Sequence, residues 1–146
     1  VTEYDVPHMG PRRLRIGQDG MVWIPSFDEG YLMSFDPKSE KFDSIKLPLL
    51  ASNEYEIPYA LNVHPKSGDV WIASNNSDRV LRYLPKEKRF VAYPMPQQVI
   101  WFRDLEFSKD GQVCMSNSNL PAYAHEDKVP AFFCIEPEPN GAYGFH

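Results

Sequence analysis

Apolar and polar positions alternate along most of this chain, and the alternation recurs three times in one form. Residues 10–26 read G-P-R-R-L-R-I-G-Q-D-G-M-V-W-I-P-S, residues 57–74 I-P-Y-A-L-N-V-H-P-K-S-G-D-V-W-I-A-S, and residues 101–117 W-F-R-D-L-E-F-S-K-D-G-Q-V-C-M-S-N. Each opens with alternating apolar positions: Leu14 and Ile16, Leu61 and Val63, Leu105 and Phe107. A polar turn carrying Gly20, Gly68 or Gly111 follows, and then a short apolar strand over 22–24, 70–72 or 113–115. This order predicts a β-hairpin in each unit.

A second hairpin half follows each first one. Residues 31–37 match 80–85 and 132–137; charged turns at 38–41 and 86–89 lead into further strands, 42–48 and 90–96, that end in proline. Val1–Pro7 matches those two proline-ended strands. The spacing agrees with the pattern: 48 residues separate Trp23 from Trp71, and 43 separate Trp71 from Cys114. A repeat of about 40–50 residues with four strands is a propeller blade. The expected fold is therefore all-β, with about three blades of four antiparallel strands. Residues 1–7 are read as the outer strand of a preceding blade, 8–48 and 49–96 as blades, and 97–146 as a blade plus a tail. The fourteen prolines support this, because few gaps between them hold a helix of about 11 residues.

These residues carry a resemblance. Gly10-Pro11-Arg12-Arg13-Leu14, Asp19-Gly20, Val22-Trp23-Ile24, Phe35-Asp36-Pro37 and Lys46-Leu47-Pro48 resemble the repeat of the streptogramin B lyase (virginiamycin B lyase-like) propellers. The second blade fits as well; the third departs at Cys114 and carries an insertion in its following hairpin. The resemblance implies a seven-bladed ring, an exported protein, periplasmic or secreted, and, in the enzymes, a divalent metal such as Mg with histidine and glutamate around the channel. Histidine stands third in the family's blade-opening G-P-H, and glutamate closes its V-W-x-x-E type strand. Here those positions are Arg12, Tyr59 and Arg103, and Ser26, Ser74 and Asn117. No catalytic residue or metal ligand is carried over, and no cofactor is expected on this segment.

What remains at the channel end is a polar set. Arg12, Arg13, Tyr59, Arg103 and Asp104 begin the innermost strands; Ser26, Ser74, Asn75, Asn76, Asn117 and Asn119 follow the second strands. They are read as a rim for a small polar or anionic ligand, against the alternative that they cap strand ends. The four histidines, His8, His64, His125 and His146, show no metal spacing: His64 reads as a solvated turn residue, and His125-Glu126-Asp127 as part of a solvated inserted loop, 120–130. Cys114 and Cys134 fall on neighbouring strands and are either a cross-strand disulfide or two buried thiols. Asn75-Asn76-Ser77 fits the glycosylation sequon. Trp23, Phe35, Trp71, Tyr83 and Tyr93 recur at matched positions and are assigned to packing between blades.

Composition adds exclusions. A net charge of −5 and a pI near 5.3 give no general nucleic-acid surface, and no apolar run reaches the ~20 residues of a membrane span. Three blades are too few to close a ring, so the expected partners are the remaining blades of one propeller or a second copy of this chain. Three functions follow: a non-catalytic structural and ligand-binding segment, part of a metal-dependent lyase or hydrolase whose catalytic residues lie on other blades, or an assembly module.

Overall fold

The computed structural model describes residues 1–49, 51, 54–97, 100–117 and 131–137. Its described residues form eleven strands and no helix: β1 (Arg15–Ile16), β2 (Val22–Ser26), β3 (Tyr31–Asp36), β4 (Lys41–Lys46), β5 (Pro58–Val63), β6 (Val70–Ser74), β7 (Arg79–Leu84), β8 (Arg89–Pro94), β9 (Glu106–Phe107), β10 (Val113–Ser116) and β11 (Phe132–Ile135). They pair in chain order as three antiparallel sheets, β1–β4, β5–β8 and β9–β11.

The three first hairpins share one register. Ile16 faces Val22, Val63 faces Val70, and Phe107 faces Val113. Gly20, Gly68 and Gly111 sit in the turns at φ 86°, 78° and 90°, the left-handed region where a side chain is costly. Next along, Trp23 faces Ser34, Trp71 faces Arg82, and Cys114 faces Cys134. Cys114 and Cys134 are joined by a disulfide, with Cα atoms 4.1 Å apart.

Blades bury their faces on one another. One cluster joins Trp23, Leu32 and Leu47 of the first blade to Leu61, Val70, Ile72, Leu81 and Tyr83 of the second. A second cluster joins Trp71, Ala73 and Val80 to Phe102, Leu105, Val113 and Met115 of the third. Each such aliphatic or aromatic side chain contributes roughly 1.5–3 kcal/mol when removed from water. Trp23 meets Tyr83 across the first seam at 6.0 Å, and Asn62 Nδ2 donates to the Leu105 carbonyl across the second at 3.0 Å. The two end faces differ: Leu14 (47% exposed) and Ile16 (64%) lie open on the first blade, and Phe132 (71%) on the last.

The connections between blades are also repeated. Leu47 N donates to Gly30 O, and Met95 N to Asp78 O. Gly30 and Asp78 are equivalent, and both have positive φ, 67° and 53°. A Cβ at Gly30 would lie 2.9 Å from the Glu56 carbonyl oxygen, so the incoming connection leaves room only for glycine. In the second blade Asp78 instead uses its carboxylate to accept from Ile100 N at 2.7 Å.

Val1–Pro7, expected as a strand, forms no strand pair among the described residues. Tyr4 nevertheless lies on Phe35, ring centroids 4.7 Å apart, and its hydroxyl donates to Glu40. Its repeat counterpart Ile45 packs on the cluster containing Tyr83, the counterpart of Phe35. A strand assignment requires a hydrogen-bonded neighbour, and among the described residues this segment has none.

His64, expected to be solvated, is partly buried. Its Nδ1 accepts from Lys66 N (3.3 Å) and Ser67 N (3.1 Å), and its ring stands edge-on to Phe107 at 5.0 Å. Burial, with the cations Arg82 and Lys66 acting in the same direction and Asp69 against it, lowers its pKa below the usual imidazole value.

Candidate ligand-binding site

The site is built by a threefold local pattern. Pro11 bridges to Ser26, Pro58 faces Ser74, and Phe102 bridges to Asn117. The next residues, Arg12, Tyr59 and Arg103, therefore enter the three inner strands at one level. Arg13 bridges to Ala60 across the first seam, in parallel.

Three guanidinium groups surround one phenol. Arg12 lies 4.6 Å above the Phe27 ring and 6.0 Å from that of Tyr59; Arg13 is 5.6 Å, and Arg103 6.0 Å, from the Tyr59 centroid. The ring faces supply a negative quadrupole that holds the cations without neutralising them. Asp104 receives Arg13 Nη1 at 2.9 Å and Arg15 Nη2 at 2.8 Å. No carboxylate pairs with Arg12 or Arg103 among the described residues. Among the described residues Asp104 is the one carboxylate that pairs with any of these four guanidinium groups, and planar guanidinium groups match carboxylate and phosphate oxygens.

The hydroxyl and amide half of the predicted rim is internally engaged. Ser26 Oγ donates to Met9 O at 2.8 Å. Ser74 Oγ donates to the Glu56 carboxylate, and Asn76 accepts from Ile57 N (2.9 Å) while donating to Tyr55 O (2.6 Å). Asn117 Oδ1 accepts from Trp101 N at 3.1 Å. These four hold strand ends to the incoming connections. Asn75 differs: it is 8% exposed, and neither its Nδ2 nor its Oδ1 has a partner among the described residues. Its burial also argues against the sequon reading, because a glycan acceptor amide must be reached from solvent.

Two buried ion pairs escaped the sequence reading. Glu56 is fully buried between Ser74 and the Nε of Arg79. Arg82, packed over Trp71 at 5.4 Å, donates through Nε and Nη2 to Asp69 at 2.8 and 2.6 Å. The available signal was a charged residue, Arg82, at an interior strand position opposite a tryptophan.

A metal does not fit the rim. The positions equivalent to the family's histidines carry two arginines and a tyrosine, and cations repel a divalent ion. Among the described residues no group of three His, Cys, Asp or Glu side chains converges. His8 stacks on Tyr31 at 3.7 Å and contacts Glu29 at 2.6 Å. Asn119, His125-Glu126-Asp127 and His146 lie outside the described residues.

No family model matches the chain, and no curated protein matches its sequence. Solved structures do match. Virginiamycin B lyase from Staphylococcus aureus superposes with a TM-score of 0.68 at 21% identity, over 94% of this chain and 46% of the lyase. The chain is a run of β-propeller blades. A streptogramin B lyase structure matches equally, TM-score 0.68 at 19% identity, over 90% of this chain and 43% of that one. The extracellular domain of a putative hybrid two-component system from B. thetaiotaomicron gives 0.63 at 14% identity, over 96% of this chain and 18% of that protein. The chain spans less than half of the lyases it matches, so the propeller resemblance is one of fold and covers part of a ring. No helix among the described residues is long and apolar enough to cross a membrane.

Proposed function

We propose that this chain is a non-catalytic segment of a larger, exported β-propeller, and that its channel rim binds a small anion. The observation that carries the reading is the set of guanidinium groups of Arg12, Arg13 and Arg103 around Tyr59, of which only Arg13 is met by a carboxylate. Further blades of the same polypeptide are the favoured partners, since three blades cover 43–46% of lyases whose ring the resemblance gives as seven-bladed. Export is supported by the Cys114–Cys134 disulfide, a bond that persists in oxidising compartments.

The test is calorimetric titration of the full-length protein with cyclohexanecarboxylate and with its neutral carboxamide. The carboxylate binds and the amide does not, and the R12A/R103A double variant loses about 10- to 100-fold in affinity for the carboxylate, the range of one or two charge-assisted hydrogen bonds. Equal binding of acid and amide would sink the reading.

A second reading is favoured by the likeness to virginiamycin B lyase. In it the whole ring is a metal-dependent lyase or hydrolase, with its histidine and glutamate on blades outside this chain. Chelator-sensitive activity of the full-length protein, unaffected by the R12A/R103A variant, would favour it.

A further inference from the structure

The turns that end the inner strands lie at the other end of the blades from the rim. Tyr59 stands near the start of β5 and His64 follows its last residue, roughly 16 Å away at about 3.3 Å per residue. Between the second and third blades these turns enclose a cavity of about 250 Å³. The second blade lines it with His64, Lys66, Trp71 and Arg82, and the third with Asp110 and Glu136. Its charges therefore divide by blade, cations on one wall and carboxylates on the other.

The repeat shows why the two carboxylates are available. Asp110 and Asp19 both precede the turn glycine. Asp19 accepts from Met21 N at 3.1 Å, but in the third blade the equivalent N–H, that of Gln112, donates to Ser108 Oγ at 3.1 Å. Glu136 is the equivalent of Asp36, whose carboxylate accepts from Lys38 N at 2.9 Å and Ser39 Oγ at 2.8 Å. Among the described residues Asp110 and Glu136 accept no hydrogen bond, and neither they nor Lys66 form an ion pair.

The opposite wall supplies donors. Arg82 is matched by Asp69, so Lys66 carries the net charge there. His64 Nδ1 accepts two backbone N–H groups, and burial lowers its pKa, so near neutral pH the ring proton sits on Nε2. That nitrogen faces Gly111, where a Cβ would stand 3.4 Å from it. A protonated Nε2 is a hydrogen-bond donor and not a metal ligand.

We infer that this cavity is a second ligand site, for a small zwitterion of the α-amino acid class, whose carboxylate is held by Lys66 and the His64 Nε2–H and whose ammonium is held by Asp110 and Glu136. Either wall alone would take a simple ion. Unpaired charges of opposite sign across one cavity select a molecule that carries both. The site is independent of the rim and of the anion-binding reading.

The experiment titrates the full-length protein calorimetrically with L-alanine, with propionate and with ethylamine, the last two each keeping one of alanine's charges. Alanine binds about tenfold or more tightly than either, the ratio of one charge-assisted hydrogen bond or more. Lys66→Met and the D110N/E136Q pair each lower alanine affinity about tenfold or more. Unchanged unfolding midpoints in the absence of ligand show that these surface variants are folded. Alanine binding no tighter than propionate or ethylamine, or surviving in both variants, overturns the inference. Loss of alanine binding in R12A/R103A would put the amino acid at the rim, overturning this inference while leaving anion binding intact.

Discussion

The second and third blades fill the same cross-strand position with different chemistry. In the second, Trp71 faces Arg82, whose guanidinium lies over the indole and is anchored by buried Asp69. In the third, the same pair is Cys114 and Cys134. The second blade is covered on both faces by neighbours, and there a large stacked pair gains its full burial. In the third blade Phe132, the neighbour of Phe133 on β11, is exposed among the described residues. A covalent link holds two strands together whatever covers them. Dispersion and salt bridging work where the ring is closed around them; cross-linking works independently of neighbours.

Breaking each solution separately tests this comparison. The largest effect is expected in the second blade. Asp69→Ala leaves the Arg82 charge buried without its anchor and should cost about 3–5 kcal/mol in denaturant unfolding of the full-length protein. A loss below about 1 kcal/mol would mean that the pair is solvated in the complete ring. Replacing Cys114 and Cys134 together with serine opens a loop with a sequence separation of 20 and should cost about 2–4 kcal/mol. The effect should be confined to the third blade, with faster hydrogen exchange in β10 and β11 and unchanged exchange in β6 and β7. Uniform loss of protection would erase the distinction between the blades.

The smallest effect concerns the turn that joins their packing. His64 has a lowered pKa in the folded state, and its Nδ1 accepts two backbone N–H groups. The unfolded chain takes up a proton near pH 6.5, before the folded one does. Stability from this group is therefore complete above about 6.5 and declines as pH falls toward the folded pKa. His64→Asn, which retains a turn acceptor, should flatten the dependence of Tm on pH between 7 and 5. An unchanged slope would place the titration elsewhere.

Hairpins, registers and blade order were legible because alternation with period two fixes which side of each strand is buried. Once Gly20, Gly68 and Gly111 mark the turns, Ile16–Val22, Val63–Val70 and Phe107–Val113 follow. The N-terminal segment has no strand partner among the described residues, so its reading as an outer strand rests on the repeat alone. The repeat aligns Arg12, Tyr59 and Arg103, but the division of the proposed rim into an arginine–tyrosine half and a tied-down serine–asparagine half was not legible, because hydrogen-bond partners come from connections whose paths the pattern leaves open. Glu56 lies in a stretch, Glu54-Tyr55-Glu56, that reads as polar loop; only Arg79 and Ser74, distant in sequence, make its burial affordable. Asn75 was masked by its own motif, since a sequon suggests an exposed turn.

The hydrogen bonds from Leu47 to Gly30 and from Met95 to Asp78, with Ile100 held by the Asp78 side chain, bear on how such rings are rearranged in evolution and in the laboratory. Each blade's second turn holds the backbone that leads into the next blade, so the unit that can be duplicated or exchanged intact is the four-stranded sheet together with its outgoing connection. A crossover in the outer turns, at Lys38–Glu40 or Lys86–Lys88, would part Gly30 from Leu47, or Asp78 from Met95 and Ile100. One placed past Leu47, or past Ile100, leaves those anchors whole. Chimeric rings joined past these contacts should therefore assemble where chimeras joined at the outer turns do not.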